Sequence, residues 1–228
     1  MNKRIVGFLL LAVCISAAYG QTPPSQTERA RFTGLFLAAA RGDTTQIKGL
    51  IAKGTRPDLR DSYERTPLHV ATYTKQHDAM RALVALGADP NALEKDRYDI
   101  VTIAAVANDV PTLKVALEIG CSAKNVTSRY DGTALIAAAH MGHSEVVRAL
   151  IQAKAPLDHV NNLGWTAVIE SIVLGDGGPR HVETLYTLIE AGANITIADR
   201  NGQTPLALAR ARRYLEMVKL LEKRVSSR

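Results

Sequence analysis

Apolar residues in this chain recur in short paired runs at helical spacing, most pairs closed by glycine. The clearest pair starts at Asp61. Thr66 and Pro67 open a run through Leu68, His69, Val70 and Ala71, and a second run carries Met80, Leu83, Val84 and Leu86 before closing on Gly87, Ala88 and Asp89. Thr and Pro start helices, the first by capping and the second by its preset φ. Glycine at Gly87 or Gly192 ends one where a left-handed residue is needed. The pattern therefore predicts two helices joined by a turn. It returns six times, marked by Thr33, Thr66, Asp99, Thr133, Thr166 and Thr204, at spacings of 33, 33, 34, 33 and 38 residues. Small residues stand at one matched position, Ala38, Ala71, Ala104 and Ala138, where bulk would push neighbouring helices apart. One such unit cannot bury its apolar face alone, so the period predicts a stacked solenoid.

The residues at fixed register resemble the ankyrin repeat. Thr66-Pro67-Leu68-His69 carries the resemblance first; Gly202, Thr204, Pro205, Leu206 and Ala207 repeat it. The fourth copy adds Gly132, Thr133, Leu135, Ala137, Gly142, His143, Val146, Val147, Leu150 and Ile151. The resemblance covers roughly residues 30 to 223 and implies an all-α fold, an ankyrin-repeat solenoid of six helix-turn-helix repeats with short β-hairpin-like fingers. The domain is expected over 32–225, with repeats at about 32–60, 61–93, 94–127, 128–160, 161–198 and 199–225. Arg210, Arg212, Arg213, Lys219, Lys223 and Arg224 give the last copy the solvated outer face of a terminal cap.

Residues 1–20 do not follow the repeat. Lys3 and Arg4 precede an apolar run from Ile5 to Ala18, and Ala18 and Gly20 are small, which reads as a signal peptide cleaved near Gly20/Gln21. As a membrane anchor the run falls short of the about 20 residues a spanning helix needs. A lipoprotein reading around Cys14 meets Val13, which is larger than the small residue expected there. Residues 21–31, with two prolines, Ser25 and mixed charge, read as a tether.

Charge and cysteine content narrow the class. The formal charge of +6 falls to +4 once Lys3 and Arg4 leave, and the excess gathers in the last repeat. No basic stripe with stacking aromatics argues for nucleic acid. Only Cys121 remains after cleavage, which excludes an internal disulfide, and it fills the slot of Ala88 and Ala193, as a packing residue or as a redox-sensitive thiol. The expected protein is a monomer in the periplasm or secreted, with no stable membrane insertion after cleavage.

Catalytic patterns are sparse: no nucleophile elbow, phosphate loop, paired-cysteine zinc pattern or metalloprotease helix occurs. His140 and His143 are three apart, but the resemblance puts His143 in the Gly-His turn between helices and His69 in a fold-forming slot. No catalytic residue, metal ligand or cofactor is expected. Ankyrin proteins differ from one another where they touch partners, which by the resemblance means one, three and four residues before each marker and seven and eight after it. Here those positions include Tyr63, Arg65, Tyr73, Lys95, Tyr98, Arg129, Tyr130, His140, Met141 and Trp165. Tyrosine, tryptophan and arginine dominate binding hot spots. They imply a protein partner held on the concave face, unless some only pack between fingers.

The fifth repeat is five residues longer, through Gly175, Asp176, Gly177, Gly178, Pro179, Arg180 and His181, which predicts a projecting loop. Glu170 stands where Val70, Ile103, Ala137 and Leu208 stand in other repeats. A carboxylate there needs a partner, for which Arg180 or His181 is the candidate. In a sharper reading Glu170, Asp176, Arg180, His181 and Trp165 form a ligand cluster. The expected function is a non-enzymatic protein-binding adaptor of the cell envelope. One alternative is an envelope protein handling a small molecule, haem or metal in peroxide defence, suggested by resemblance to exported bacterial ankyrin proteins. A second is an enzyme using the repeat-five cluster.

Overall fold

The computed structural model describes residues 21–226; the expected signal peptide, 1–20, lies outside them. A short helix, α1 (Gln26–Arg31), precedes six helical pairs: α2 (Gly34–Arg41) with α3 (Thr44–Ala52), α4 (Pro67–Tyr73) with α5 (His77–Ala85), and α6 (Ile100–Val106) with α7 (Val110–Glu118). Then follow α8 (Ala134–His140) with α9 (Ser144–Gln152), α10 (Ala167–Val173) with α11 (Pro179–Glu190), and α12 (Pro205–Ala211) with α13 (Leu215–Ser226). The first helix of each pair packs on the first of the next, and the second on the second, so the molecule has an inner and an outer helical layer. No helix among the described residues is long and apolar enough to cross a membrane.

The marker residues act as the sequence predicts. Thr66, Asp99, Thr133, Thr166 and Thr204 each cap an inner helix, the side-chain oxygen accepting from the backbone N–H three residues on. Each such cap contributes about 1 kcal/mol. Thr33, at the solenoid's open end, makes no side-chain cap bond. His69 is fully buried, its Nδ1 2.8 Å from Thr66 Oγ1 and its Nε2 3.2 Å from the Tyr98 carbonyl in the next repeat. Burial lowers its pKa to about 4, so this imidazole is neutral at physiological pH and ties repeat two to repeat three.

Fingers connect the pairs. The one between repeats three and four forms a two-residue ladder, β1 (Val126–Thr127) with antiparallel β2 (Gly132–Thr133), pairing Val126 with Thr133. Successive fingers are joined by backbone bonds, from Lys95 N to Tyr63 O at 3.0 Å, Ser128 N to Arg97 O at 3.0 Å and Asn162 N to Tyr130 O at 2.9 Å. The apolar core runs unbroken between the helical layers, from Leu35 and Ile47 through Leu68, Met80 and Leu135 to Met217 and Leu221. Cys121 belongs to it, and burial raises its thiol pKa, which disfavours the reactive thiolate.

The fifth repeat corrects one expectation. Its extra residues do not project: Pro179 starts α11, and Arg180 and His181 lie in that helix's first turn, so much of the insertion lengthens the outer helix to 12 residues. The remainder is packed tightly. A Cβ on Gly175 would stand 2.1 Å from the Ser171 carbonyl oxygen, and one on Gly177, whose φ is +70°, would stand 2.4 Å from the Tyr214 ring. Tyr214 Oη donates to the Gly175 carbonyl at 2.9 Å, anchoring the insertion to the last repeat. Proline ends one helix but also begins another at its first position, which accounts for the difference.

Candidate functional site

The predicted partner positions lie on the fingers and at the C-terminal ends of the inner helices, but unequally exposed. Lys95 and Arg129 are exposed, and Tyr63, Tyr73, Tyr130, His140, Met141 and Trp165 are half-buried. Arg65 and Tyr98 are buried, at 1% and 3% exposure, and so are not open contact residues as the sequence suggested. Both directly precede a marker residue, where the finger turns back onto the inner helix. The Tyr98 N–H donates to Glu94 Oε1 at 3.1 Å. The Arg65 N–H donates to Asp61 Oδ1 at 2.9 Å, and its guanidinium is held on three sides: Nε by Asp61 Oδ2 at 2.7 Å, Nη1 by the Thr22 carbonyl at 3.1 Å and Nη2 by Glu28 Oε1 at 2.5 Å.

Around Arg65 the fingers of repeats two and three hold a charged cluster. The guanidinium lies 4.6 Å from the Tyr63 ring centre, with Lys95 Nζ at 6.0 Å from the same ring. Such cation–π contacts favour charge over an aromatic face. Asp96 accepts from Arg129 Nη2 at 2.9 Å and from Thr22 Oγ1 at 3.1 Å. Glu94 is 2% exposed; its Oε1 accepts the Asp96 and Tyr98 N–H groups, while its Oε2 and the Tyr73 hydroxyl have no hydrogen-bond partner. Burial raises the pKa of Glu94 and of both Tyr73 and Tyr98. The sequence reading missed Glu28, Asp61, Glu94 and Asp96. The Ser25-x-x-Glu28 spacing was the available signal, since it is a helix-start pattern inside the supposed tether.

A second polar cluster joins repeats four and five. Glu170 is fully buried, and two hydrogen-bonding partners come from outside the insertion. His140 Nδ1 lies 3.2 Å from Oε2, and Asn161 Nδ2 donates to Oε1 at 2.9 Å. Asn161 Oδ1 in turn accepts the backbone N–H groups of Leu163 and Trp165, both at 3.0 Å. His181 is buried and bridges Asp176 Oδ1 at 2.8 Å to the His140 carbonyl at 2.9 Å. The fold thus links Glu170, His140, His181 and Asp176 in one network, with Arg180 exposed outside it. The His181 link fastens the insertion to the neighbouring inner helix, and the Glu170 links join that helix to the inner helix and finger of repeat five. His143 Nδ1 lies 3.1 Å from the Ala105 carbonyl, as a turn residue. No group of three or more His, Cys, Asp or Glu residues able to hold a metal ion occurs among the described residues.

Comparison with known proteins agrees with the stacked pairs and capped markers. A family model described as ankyrin repeats (3 copies) matches residues 3–94 and 101–199. The chain belongs to the ankyrin repeat family. It is 32% identical over 187 residues to the ankyrin repeat protein YahD of Escherichia coli, a match covering 82% of this chain and 92% of that one. An ankyrin repeat domain from Acinetobacter baumannii superposes with a TM-score of 0.77 at 41% identity, covering 84% of this chain and 97% of the other. At 20% identity, a chain from the structure of a predatory endopeptidase of Bdellovibrio bacteriovorus in complex with an immunity protein shares the fold, with a TM-score of 0.68 over 84% of this chain and 98% of that one. Ankyrin repeats generally mediate protein–protein interaction and are typically non-enzymatic.

Proposed function

We propose that this chain is a protein-binding adaptor of the cell envelope, exported by a leader cleaved near Gly20/Gln21, that grips its partner on the concave face. One observation carries the reading: Tyr63, Lys95, Arg129, Tyr130, His140, Met141 and Trp165, all exposed or half-buried, extend over the fingers and inner-helix ends of repeats two to five. Aromatic and basic side chains give large contact area with a polar handle, and a backbone already fixed by capped helices loses little freedom on binding. The Bdellovibrio structure, in which a chain of this fold occurs within a protein–protein complex, supports the same reading. The basic start, apolar run and small residues of 1–20 support export. In-cell photo-crosslinking from position 130, followed by mass spectrometry, identifies the partner. Trp165→Ala is then expected to weaken its binding by about 2 kcal/mol without unfolding the chain. Equal binding by wild type and Trp165→Ala, with Tyr130→Ala equally silent, removes the concave face from the interaction. N-terminal sequencing that finds Met1 on a cytoplasmic product removes the export reading.

A further inference from the structure

Residues 21–28 do not hang as a tether; they lie across repeats two and three. Gln21 Nε2 donates to the Ile103 carbonyl on the inner helix of repeat three at 2.6 Å, Thr22 Oγ1 to Asp96 at 3.1 Å, and Arg65 donates to both the Thr22 carbonyl and Glu28. Pro24 is buried beneath exposed Pro23 and Ser25, the latter capping α1 in a reciprocal box with Glu28. The strap runs backwards along the solenoid, from repeat three through repeat two before the chain enters repeat one, with residues 21–25 in neither helix nor strand and Ser25 extended.

Three features separate this strap from an integral part of the fold. First, α1 is six residues long and buries none of them, so its docking rests on a few polar bonds and one proline. Second, the receiving surface is built independently of it: Asp96, Asp61 and Glu94 are ordered by their own finger turns. Third, the 2%-exposed Glu94 of this finger retains an unpartnered carboxylate oxygen, and Tyr73, at the end of α4, an unpartnered hydroxyl. The strap leaves that polar capacity unused.

We propose that the groove formed by Arg65, Asp96 and Ile103 is a peptide-recognition site, occupied in the free protein by its own residues 21–28 and taken over on binding by a partner's extended, acidic, proline-containing segment. The strap displays the required chemistry. A carboxylate meets the Arg65 guanidinium, a hydroxyl meets Asp96, a primary amide meets the Ile103 carbonyl, and a proline fills the buried position between them. An extended proline-containing segment loses little freedom on docking. This deepens the adaptor reading and rests on it. A partner must displace a tethered competitor, whose high local concentration weakens any ligand binding in trans.

The test uses an eleven-residue, fluorescein-labelled peptide copying residues 21–31 and a chain in which residues 21–28 are replaced by glycine and serine. Fluorescence anisotropy is expected to show saturable binding to the replaced chain, at least ten-fold tighter than to wild type. Asp96→Ala in the replaced chain, or glutamine in the peptide at the place of Glu28, is expected to weaken that binding several-fold. Two results overturn the proposal: a replaced chain that fails to fold, which makes the strap an integral element, and a replaced chain that folds but binds the peptide no better than wild type. Either leaves the adaptor reading to be decided separately by crosslinking from position 130, which does not pass through this groove.

Discussion

Two ionisable side chains lie buried at the fingers and inner helices of this solenoid, and their partners come from different places. Glu170 takes hydrogen-bond partners from its own and the preceding repeat, His140 on the adjacent inner helix and Asn161 on its own finger. Arg65 takes one partner from its own finger and two from a segment 37 to 43 residues earlier. The first arrangement is part of stacking: wherever repeats four and five pack, the network forms. The second depends on a strap that lies outside the repeat lattice. Burial alone therefore does not mark a side chain as scaffold; what matters is whether the cover belongs to the repeat lattice.

The largest effect is expected from Glu170→Ala, which leaves the Asn161 amide and His140 without their acceptor beside a new void and should cost about 3 kcal/mol in urea unfolding. Glu170→Gln keeps the shape and should cost about 1 kcal/mol. If Glu170→Ala unfolds like wild type, the network is not part of stacking and the contrast with Arg65 fails.

Acid should act through repeat two. With a folded pKa of about 4 against an ordinary 6.5, His69 binds its proton more readily in the unfolded chain between those values. Stability is therefore expected to fall as pH drops from 6.5 towards 4, by a few kcal/mol in all, with no further loss from this group below 4. Urea midpoints across that window, with His69→Gln as a flattened reference, check it.

Gly175→Ala places a methyl against the Ser171 carbonyl and the His181 ring, so the insertion must shift; about 2 kcal/mol is expected in thermal or urea melts. The smallest global effect belongs to the strap. Glu28→Gln should change unfolding by less than about 1 kcal/mol, because Glu28 is partly exposed, yet should raise amide exchange at Glu28 and Arg29, whose N–H groups are held by Ser25. A loss as large as that of Glu170→Ala would make the two clusters equivalent.

How much could be read beforehand follows the same division. Contacts that recur once per repeat leave a period in the sequence, so the markers, caps, inner and outer helices and the place of His69 were legible. Glu170 was recognisable as misplaced because four aligned slots are apolar. Its partners His140 and Asn161 were not foreseen, because Pro179 was read as a breaker, when it begins α11 and puts Arg180 and His181 in that helix's first turn. Arg65 and Tyr98 were read as partner contacts because the resemblance puts a variable finger residue one before each marker, and in these two repeats that residue turns inward. Nothing periodic announces a cover supplied by Thr22 and Glu28. Long-range contacts made once, by a segment outside the repeat, leave no period to find.

The strap also has a place in time. Gln21 precedes its acceptor Ile103 by 82 residues, and Thr22 precedes Asp96 by 74. A chain made from its N-terminus at about 5–20 residues per second presents the strap several seconds before the surface that receives it. When Arg65 emerges its own partners Thr22, Glu28 and Asp61 are already made, while the strap's other two anchors, Asp96 and Ile103, are not. The segment that covers the groove is therefore complete before the groove is, and it can settle there as soon as Asp96 and Ile103 fold, ahead of any competitor in trans.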